Sequence, residues 1–371
     1  MKVALIHDHL AQDGGAEKVL RVLAEMFPEA PIYTLLYEKK HTDKYLKGRH
    51  IETSVIQKLP GGVRHYQWYL PFMPLAVEFF DLRAYDLVIS DTSSFAKGVI
   101  TAPDTLHISY CHTPTRYLWS DTHQYINELK YNKWLKKIIS LVLNKIRIWD
   151  RLAADRVDLF IANSRTVQER IAKYYRRQST VIYPPVEVDR FEILDRSALK
   201  PEEKYFLIGC RLAPYKRVDL AVAAFKELGA PYRLKVFGDG VDLERLKKIA
   251  AGAENIEFLG RVSEAEKARL YSQAEAFINP QEEDFGITVI EAMASGRPVI
   301  AYRKGGATET VIAGKTGLFF DEPTAESLTG AVKSFRSEDF NPATIKEHAQ
   351  QFSTANFKQQ INDFISQHLK D

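Results

Sequence analysis

Short apolar runs, closed by polar turns bearing glycine or proline, alternate along this chain with longer amphipathic segments. That is the pattern of strands and helices in a parallel α/β sheet. Residues 2–7, 86–90, 105–110 and 157–162 read as strands of a first series, and residues 181–186 as its last, running into Pro184 and Pro185, where regular structure stops. A second series reads at 205–209, 233–237, 256–259, the run ending at Ile278, and 299–302. Helices are predicted over 19–26, from Leu220 onward, between Gly286 and the Ser295-Gly296 stop, and over 352–369. Residues 31–83 hold only short apolar and aromatic pieces, and the polar segment 195–204 reads as a linker. No repeat of solenoid period and no low-complexity tract interrupts the two series.

Length sharpens this picture. At 371 residues the chain exceeds one ordinary core, so two domains of roughly 150 to 200 residues each are expected. Hydrophobic content of 45% and charged content of 27% are those of a globular protein in water. The net charge of +3 is too small to argue for nucleic acid. Cys111 and Cys210 lie far apart without metal-ligand spacing, which supports neither a disulfide framework nor a zinc site, and the expected compartment is reducing. The apolar run at the N-terminus is too short for a signal peptide, and no stretch approaches the length of a spanning helix, so a cytoplasmic protein is expected.

The chemistry concentrates in residues 279–300. Between the strand ending at Ile278 and the helix lies a loop with Glu283 and Gly286, and Glu291 follows one turn inside the helix. If the helix starts near Ile287 or Thr288, its first amides form an anion site, and Gly286 lets a ligand approach the backbone. Amides for phosphate oxygens beside carboxylates for hydroxyls suit a sugar nucleotide; the alternative is a surface loop of solvated acids.

Glu283, seven intervening residues and Glu291, with Phe285-Gly286 between them and Ala292-Met293-Ala294-Ser295-Gly296-Arg297-Pro298-Val299-Ile300 after, resembles the signature of the family-4 retaining glycosyltransferases. The resemblance implies an α/β chain of GT-B fold, with two Rossmann-like domains facing across a cleft and a C-terminal helix crossing back to the N-terminal domain. It implies an acceptor domain over residues 1–185, a nucleotide-sugar donor domain over 186–352, and a returning helix over 353–371.

In the first series, Gly14 and Gly15 stand at a strand-to-helix turn, where adjacent glycines serve either tight packing or a ligand laid against backbone amides. The resemblance turns them toward the donor diphosphate and the acceptor. His112 follows a strand, where ligands of open α/β sheets bind. A lone histidine there is either structural or functional, and the resemblance implies contact with the donor sugar. The run Cys111-His112-Thr113-Pro114-Thr115-Arg116-Tyr117-Leu118-Trp119 further resembles mannosyltransferase-like members that build bacterial surface polysaccharides, which makes GDP-mannose the expected donor.

Two stretches suggest contact with something larger. Residues 61–72 mix glycines, bases and aromatics, consistent with core packing or with an acceptor or lipid contact. Residues 130–151 hold seven Lys or Arg against one acid, Asp150, with Leu135, Ile138, Val142, Trp149 and, just beyond, Leu152 at near-helical spacing. That reads as a core helix with a solvated basic face or as a helix on an anionic membrane.

In the second series Arg211 and Lys216 leave a strand end. Two cations there are ordinary surface bases or a clamp for a diphosphate, and the resemblance implies the clamp. Gly238 and Asp239 form another turn on the phosphate or sugar side, Ser263 and Glu266 a capping box, and the backbone near Val262 is implied to edge the nucleobase. Gly305 and Gly306 open a further helix with a structural role. Gly14, Gly15, Gly238, Asp239, Val262, Phe285, Gly286, Ile287, Thr288 and Glu291 make the implied donor site; Glu283 would hold sugar hydroxyls and Glu291 the ribose.

The implied activity is retaining transfer of a hexosyl group to a glycan or lipid-linked acceptor, with His112, Arg211, Lys216 and Glu283 as catalytic residues. No Asp-x-Asp pair occurs in the chain, so no metal and no cofactor are expected. A sugar-nucleotide 2-epimerase of the same fold and a non-catalytic sugar-nucleotide-binding module are the alternatives.

Overall fold

The computed structural model describes residues 1–11, 14–39, 46–195 and 203–369. Most of the expected linker, residues 196–202, lies outside them. By its internal contacts the chain divides into two units, Met1–Tyr183 with Lys358–Asp371, and Pro184–Phe357.

In the first unit, β1 (Val3–Leu10), β2 (Ile32–Tyr37), β3 (Ile51–Thr53), β4 (Leu87–Thr92), β5 (Leu106–Cys111), β6 (Leu159–Ala162) and β7 (Ser179–Val181) form a parallel sheet ordered β3-β2-β1-β4-β5-β6-β7. The central strands are buried on both faces, which is why they read as near-continuous apolar runs rather than as alternation. Helices α1 (Gly15–Met26), α2 (Met73–Glu78), α3 (Thr122–Glu128), α4 (Lys133–Ala153) and α5 (Arg165–Tyr175) belong to this unit.

The second unit repeats the plan. Its strands β8 (Phe206–Gly209), β9 (Leu234–Phe237), β10 (Ile256–Gly260), β11 (Phe277–Asn279), β12 (Val299–Tyr302) and β13 (Gly317–Phe320) are parallel in the order β10-β9-β8-β11-β12-β13. Helices α6 (Val218–Leu228), α7 (Leu243–Ala250), α8 (Glu264–Gln273), α9 (Ile287–Ala294), α10 (Ala307–Thr310), α11 (Ala325–Ser334) and α12 (Pro342–Ala349) accompany them. The last helix, α13 (Thr354–His368), carries the chain from the second unit into the first, where Lys358 pairs with Glu25 at 2.8 Å.

Both sheets have the doubly wound order, in which the winding reverses between the first and fourth strands of the series and opens a crevice at their carboxyl ends. In the first unit that point lies between β1 and β4, in the second between β8 and β11.

Several sequence expectations shift. The first strand continues past His7 to Leu10, because its backbone pairs with β2 as far as Leu10–Tyr37. Helix α1 begins at Gly15 rather than at Val19, since the Glu17 carboxylate accepts the Gly14 amide and caps the first turn. The run 181–186 is not one strand: β7 ends at Val181, two prolines without amide donors follow, and Val186 pairs with Ser353 in the second unit. Strands β2, β3 and β13 had no distinct sequence signal.

Candidate active site

The first unit brings polar side chains together at its crevice. His7 on β1 and Asp91 on β4 are register partners, and His112 follows the end of β5. His7 Nδ1 lies 2.8 Å from Asp91 Oδ2, His112 Nε2 lies 2.5 Å from Asp91 Oδ1, and His7 Nε2 lies 3.8 Å from Glu17 Oε1. The other Glu17 oxygen accepts the Gly14 amide at 2.9 Å. Burial alone would depress the His7 pKa, but the bonds to Asp91 and Glu17 outweigh it and push it up to about 10. Burial works against ionised Asp91 too, yet the charge and hydrogen bonds of His112 and His7 hold its pKa below the ordinary range. As a carboxylate accepts hydrogen bonds only, Nε2 of His112 carries the proton toward Asp91.

Around this cluster the loops are tied down from below. Asp8 accepts the amides of Ser93, Phe95 and Ala96 at 2.6, 2.7 and 2.7 Å. The loop after His112 is anchored through Thr115 and Trp119, which bond the Asp150 carboxylate at 3.1 and 2.7 Å, and Lys97 joins them at 2.5 Å. Asp150 thus belongs to a buried hub and not to a solvated face of α4. Arg116 is paired with Asp121 at 2.7 Å.

The crevice of the second unit has different chemistry. Lys216 follows β8, Glu283 follows β11, and the two form an ion pair, with Gln281 Nε2 donating to Glu283 at 2.7 Å. Burial would lower the Lys216 pKa, but Glu283 reverses the direction and raises it. Arg211 is exposed and donates to the Tyr215 hydroxyl at 2.7 Å. Beside them α9 starts at Ile287 without a side-chain cap, its N-cap Gly286 at φ 93°, a left-handed conformation that a side chain would strain. Ile287 and Thr288 are its first two residues. Gly305 and Gly306 let the β12–α10 loop close on this segment: a Cβ at Gly305 would stand 2.3 Å from the Glu283 carbonyl, and the Gly306 amide donates to that oxygen at 2.8 Å.

Glu291 lies deeper than Glu283. It is buried inside α9, and its carboxylate meets Lys267 Nζ at 3.1 Å and the Tyr271 hydroxyl at 3.2 Å, both from α8. Two of its partners are thus on α8, and Glu283 is the carboxylate that pairs with Lys216. Phe285 is also buried, its ring packed edge-on to Phe352 at 5.6 Å. Gly238 is demanded by packing, since a Cβ there would stand 1.9 Å from the Cys210 carbonyl. Asp239 bonds the Gly240 amide at 2.8 Å and pairs with Arg261 at 3.3 Å. Val262 is half-buried just before Ser263, which caps α8 through the Glu266 amide at 3.1 Å. That capping box is one-sided, because the Glu266 carboxylate turns to Arg269 at 2.7 Å.

In the first unit, the Gly14 amide is taken by Glu17, and Gly15 is the first residue of α1. Burial pushes the Cys210 thiol up to about 12, which leaves it a poor nucleophile. Among the described residues no group of three or more His, Cys, Asp or Glu is placed to hold a metal ion, and no helix is long and apolar enough to cross a membrane. A cavity of about 330 Å³ lined by Tyr205, Arg233, Leu234 and Asn255 lies at the amino ends of the second sheet, away from the carboxyl ends where Lys216 and Glu283 sit.

Sequence reasoning passed over His7, Asp91, Glu17, Gln281 and Lys267. One signal was available: His7 and Asp91 are polar residues at the carboxyl ends of apolar runs, the position at which open α/β sheets bind ligands.

Residues 13–190 match the family model described as Glycosyltransferase Family 4, and residues 189–358 match the model of Glycosyl transferases group 1. The alpha-1,3/1,6-mannosyltransferase of Dictyostelium discoideum is 24% identical in an alignment covering 98% of each chain. The GDP-mannose-dependent alpha-(1-6)-phosphatidylinositol monomannoside mannosyltransferase of Mycolicibacterium smegmatis is 30% identical over 49% of this chain and 54% of its own. Among solved structures, Anabaena HepE in complex with UDP and glucose superposes with a TM-score of 0.73 at 18% identity, covering 99% of both chains, a likeness of fold.

Proposed function

Since this chain belongs to the family-4 glycosyltransferases and has their GT-B fold, we propose that it is a retaining, metal-independent hexosyltransferase that moves a mannosyl group from GDP-mannose to a glycan or lipid-linked acceptor. The observation that carries the reading is the Lys216–Glu283 pair at the crevice of the second unit, beside the uncapped start of α9 and close in sequence to Arg211. Lys216 and Arg211 neutralise the diphosphate and stabilise it as it leaves, and the amides of Ile287 and Thr288 add oriented donors. Glu283, already oriented by Gln281, accepts the hydroxyls of the donor sugar, and Glu291, fixed by Lys267 and Tyr271, those of the ribose.

Two cations and helix amides do the work of a divalent ion, so chelation leaves the rate unchanged. The leaving phosphate accepts the acceptor proton on the face it departs from, which keeps the anomeric configuration, and the protein's part is positioning and charge stabilisation. His112, held by Asp91, touches the sugar or its departing phosphate. The donor assignment is supported by the names of relatives, two of which are mannosyltransferases. The setting proposed is the cytoplasm, at the inner face of a membrane.

A thermal-shift series with GDP, UDP, ADP and their sugars tests the donor, followed by NMR of the product's anomeric signal with and without EDTA. GDP-mannose should give the largest shift and an α-linked product in both buffers. A larger shift with a UDP-sugar would replace the donor, a β-linked product would reject retention, and loss of turnover in EDTA would reject metal independence.

A further inference from the structure

The outward face of α4 is apolar where a helix in water should be polar. Trp134, Ile138, Leu141, Ile148 and Leu152 are 77, 58, 68, 57 and 57% exposed. Their spacing of four, three, seven and four residues puts them on one stripe along the helix. The inward face is a different set, with Leu143, Ile146, Asp150 and Ala153 buried. One helix therefore carries two apolar faces, and only one of them is used by the core.

A second stripe stands on a neighbouring segment. Trp68, Phe72, Leu75 and Phe79 are 67, 59, 50 and 62% exposed, again at helical spacing, while Met73, Ala76 and Val77 of α2 turn inward. Trp149 of α4 donates to Glu78 of α2 at 2.8 Å, and both helices pack on the same hydrophobic cluster, so the two segments are adjacent on one unit. Exposed apolar surface of this extent in a globular protein marks an interaction site.

Charge decides the occupant. Lys133, Lys137 and Lys145 are exposed on α4, Lys137 lies over the Trp134 ring at 5.2 Å, and the only acid within the helix is Asp150, buried and bonded to Lys97. The nearest exposed acid after the helix, Asp155, is paired with Arg151 at 2.6 Å. A second copy seated two-fold on this face would bring lysines against lysines with no exposed carboxylate on either helix to offset them. An anionic lipid surface offers headgroups to the lysines and acyl chains to the stripe, and lysine stems bridge the two levels.

We infer that α4, flanked by the 68–79 segment, docks unit one on an anionic membrane, with Trp134, Ile138, Leu141 and Ile148 inserted at the headgroup boundary and Lys133, Lys137 and Lys145 on the headgroups. The inference stands on exposure and charge alone and does not rest on the donor assignment. It deepens the proposed function by naming the surface from which a lipid-linked acceptor would be met.

Sedimentation of the full chain with vesicles tests it. Phosphatidylcholine–phosphatidylglycerol vesicles in a two-to-one ratio should pellet the protein at low salt, and phosphatidylcholine alone should do so far less. Lys133→Gln, Lys137→Gln and Lys145→Gln together should lower partitioning by about two orders of magnitude, about fivefold per charge. Ile138→Ser, Leu141→Ser and Ile148→Ser together should lower it by about tenfold or more at unchanged charge. Because all six side chains are exposed, the melting temperature of both variants should match the parent and confirm folding. Parent protein left in the supernatant with anionic vesicles overturns the inference, as does pelleting that ignores the serine substitutions. A lipid-free dimer dispersed by the serine substitutions would assign the face to a second copy instead. None of these outcomes alters donor binding, so the transferase reading stands or falls separately.

Discussion

The two crevices share a strand order and differ in almost everything else. In the first unit the ends of β1, β4 and β5 converge on one buried carboxylate, Asp91, shared by two histidines. In the second, the ends of β8 and β11 present a cation already paired with a carboxylate, an exposed arginine and an uncapped helix start. The doubly wound topology delivers side chains to one place in each sheet, and the chemistry delivered depends on the residues at and just beyond the strand ends. Burial separates them further: His7 and Asp91 are sealed in the core, whereas His112, Lys216 and Glu283 each keep part of their surface exposed.

That difference can be broken first at Asp91. Asp91→Ala leaves His7 and His112 without their common acceptor and should destabilise the fold by about 3–5 kcal/mol in urea titrations, the cost of stranding a buried charge. The pH dependence has a definite sign. His7 is raised from 6.5 to about 10 in the fold, so its contribution is complete below pH 6.5 and is lost as pH rises toward 10. The parent should lose stability across that window, and the variant, with only Glu17 left to hold the proton, should lose less. An equal loss in both would remove Asp91 from the account.

Arg211→Ala probes the second crevice, where exposure predicts the opposite outcome. Its melting temperature should hold, while kcat falls by about 10² or more if the guanidinium stabilises the leaving diphosphate, by analogy with loss of one oxyanion donor. A drop of only a few fold would reject that role. Smallest is Glu291→Gln, which keeps the volume and the partners on α8 but loses a charge. Nucleotide affinity by calorimetry should weaken about tenfold, the scale of one charge-assisted hydrogen bond. Unchanged affinity would leave Glu291 a purely structural link between α8 and α9.

Helix α4 shows where sequence legibility stopped. Its apolar periodicity was visible over residues 130–151, but a wide apolar arc is consistent with either face being buried. Leu135, Ile138 and Leu152 proved exposed, while Val142 and Trp149 turn partly inward against the core. The same limit applies to the site: Lys216 and Glu283 were each visible, their pairing was not, and neither were the contacts of Glu291 with Lys267 and Tyr271 on α8.

What the amino-acid order alone determined is local: the alternation of strand and helix, the two series, the glycine at 286 between strand and helix, and the signature between Glu283 and Ile300. These follow from periodicity and backbone sterics, which act over a few residues. What tertiary structure decided is partnership. His7 meets Asp91 across 84 residues, and Lys216 meets Glu283 across 67. Such pairs exist only once parallel strands lie side by side, because it is the sheet, and not the spacing along the chain, that brings their ends within hydrogen-bond reach.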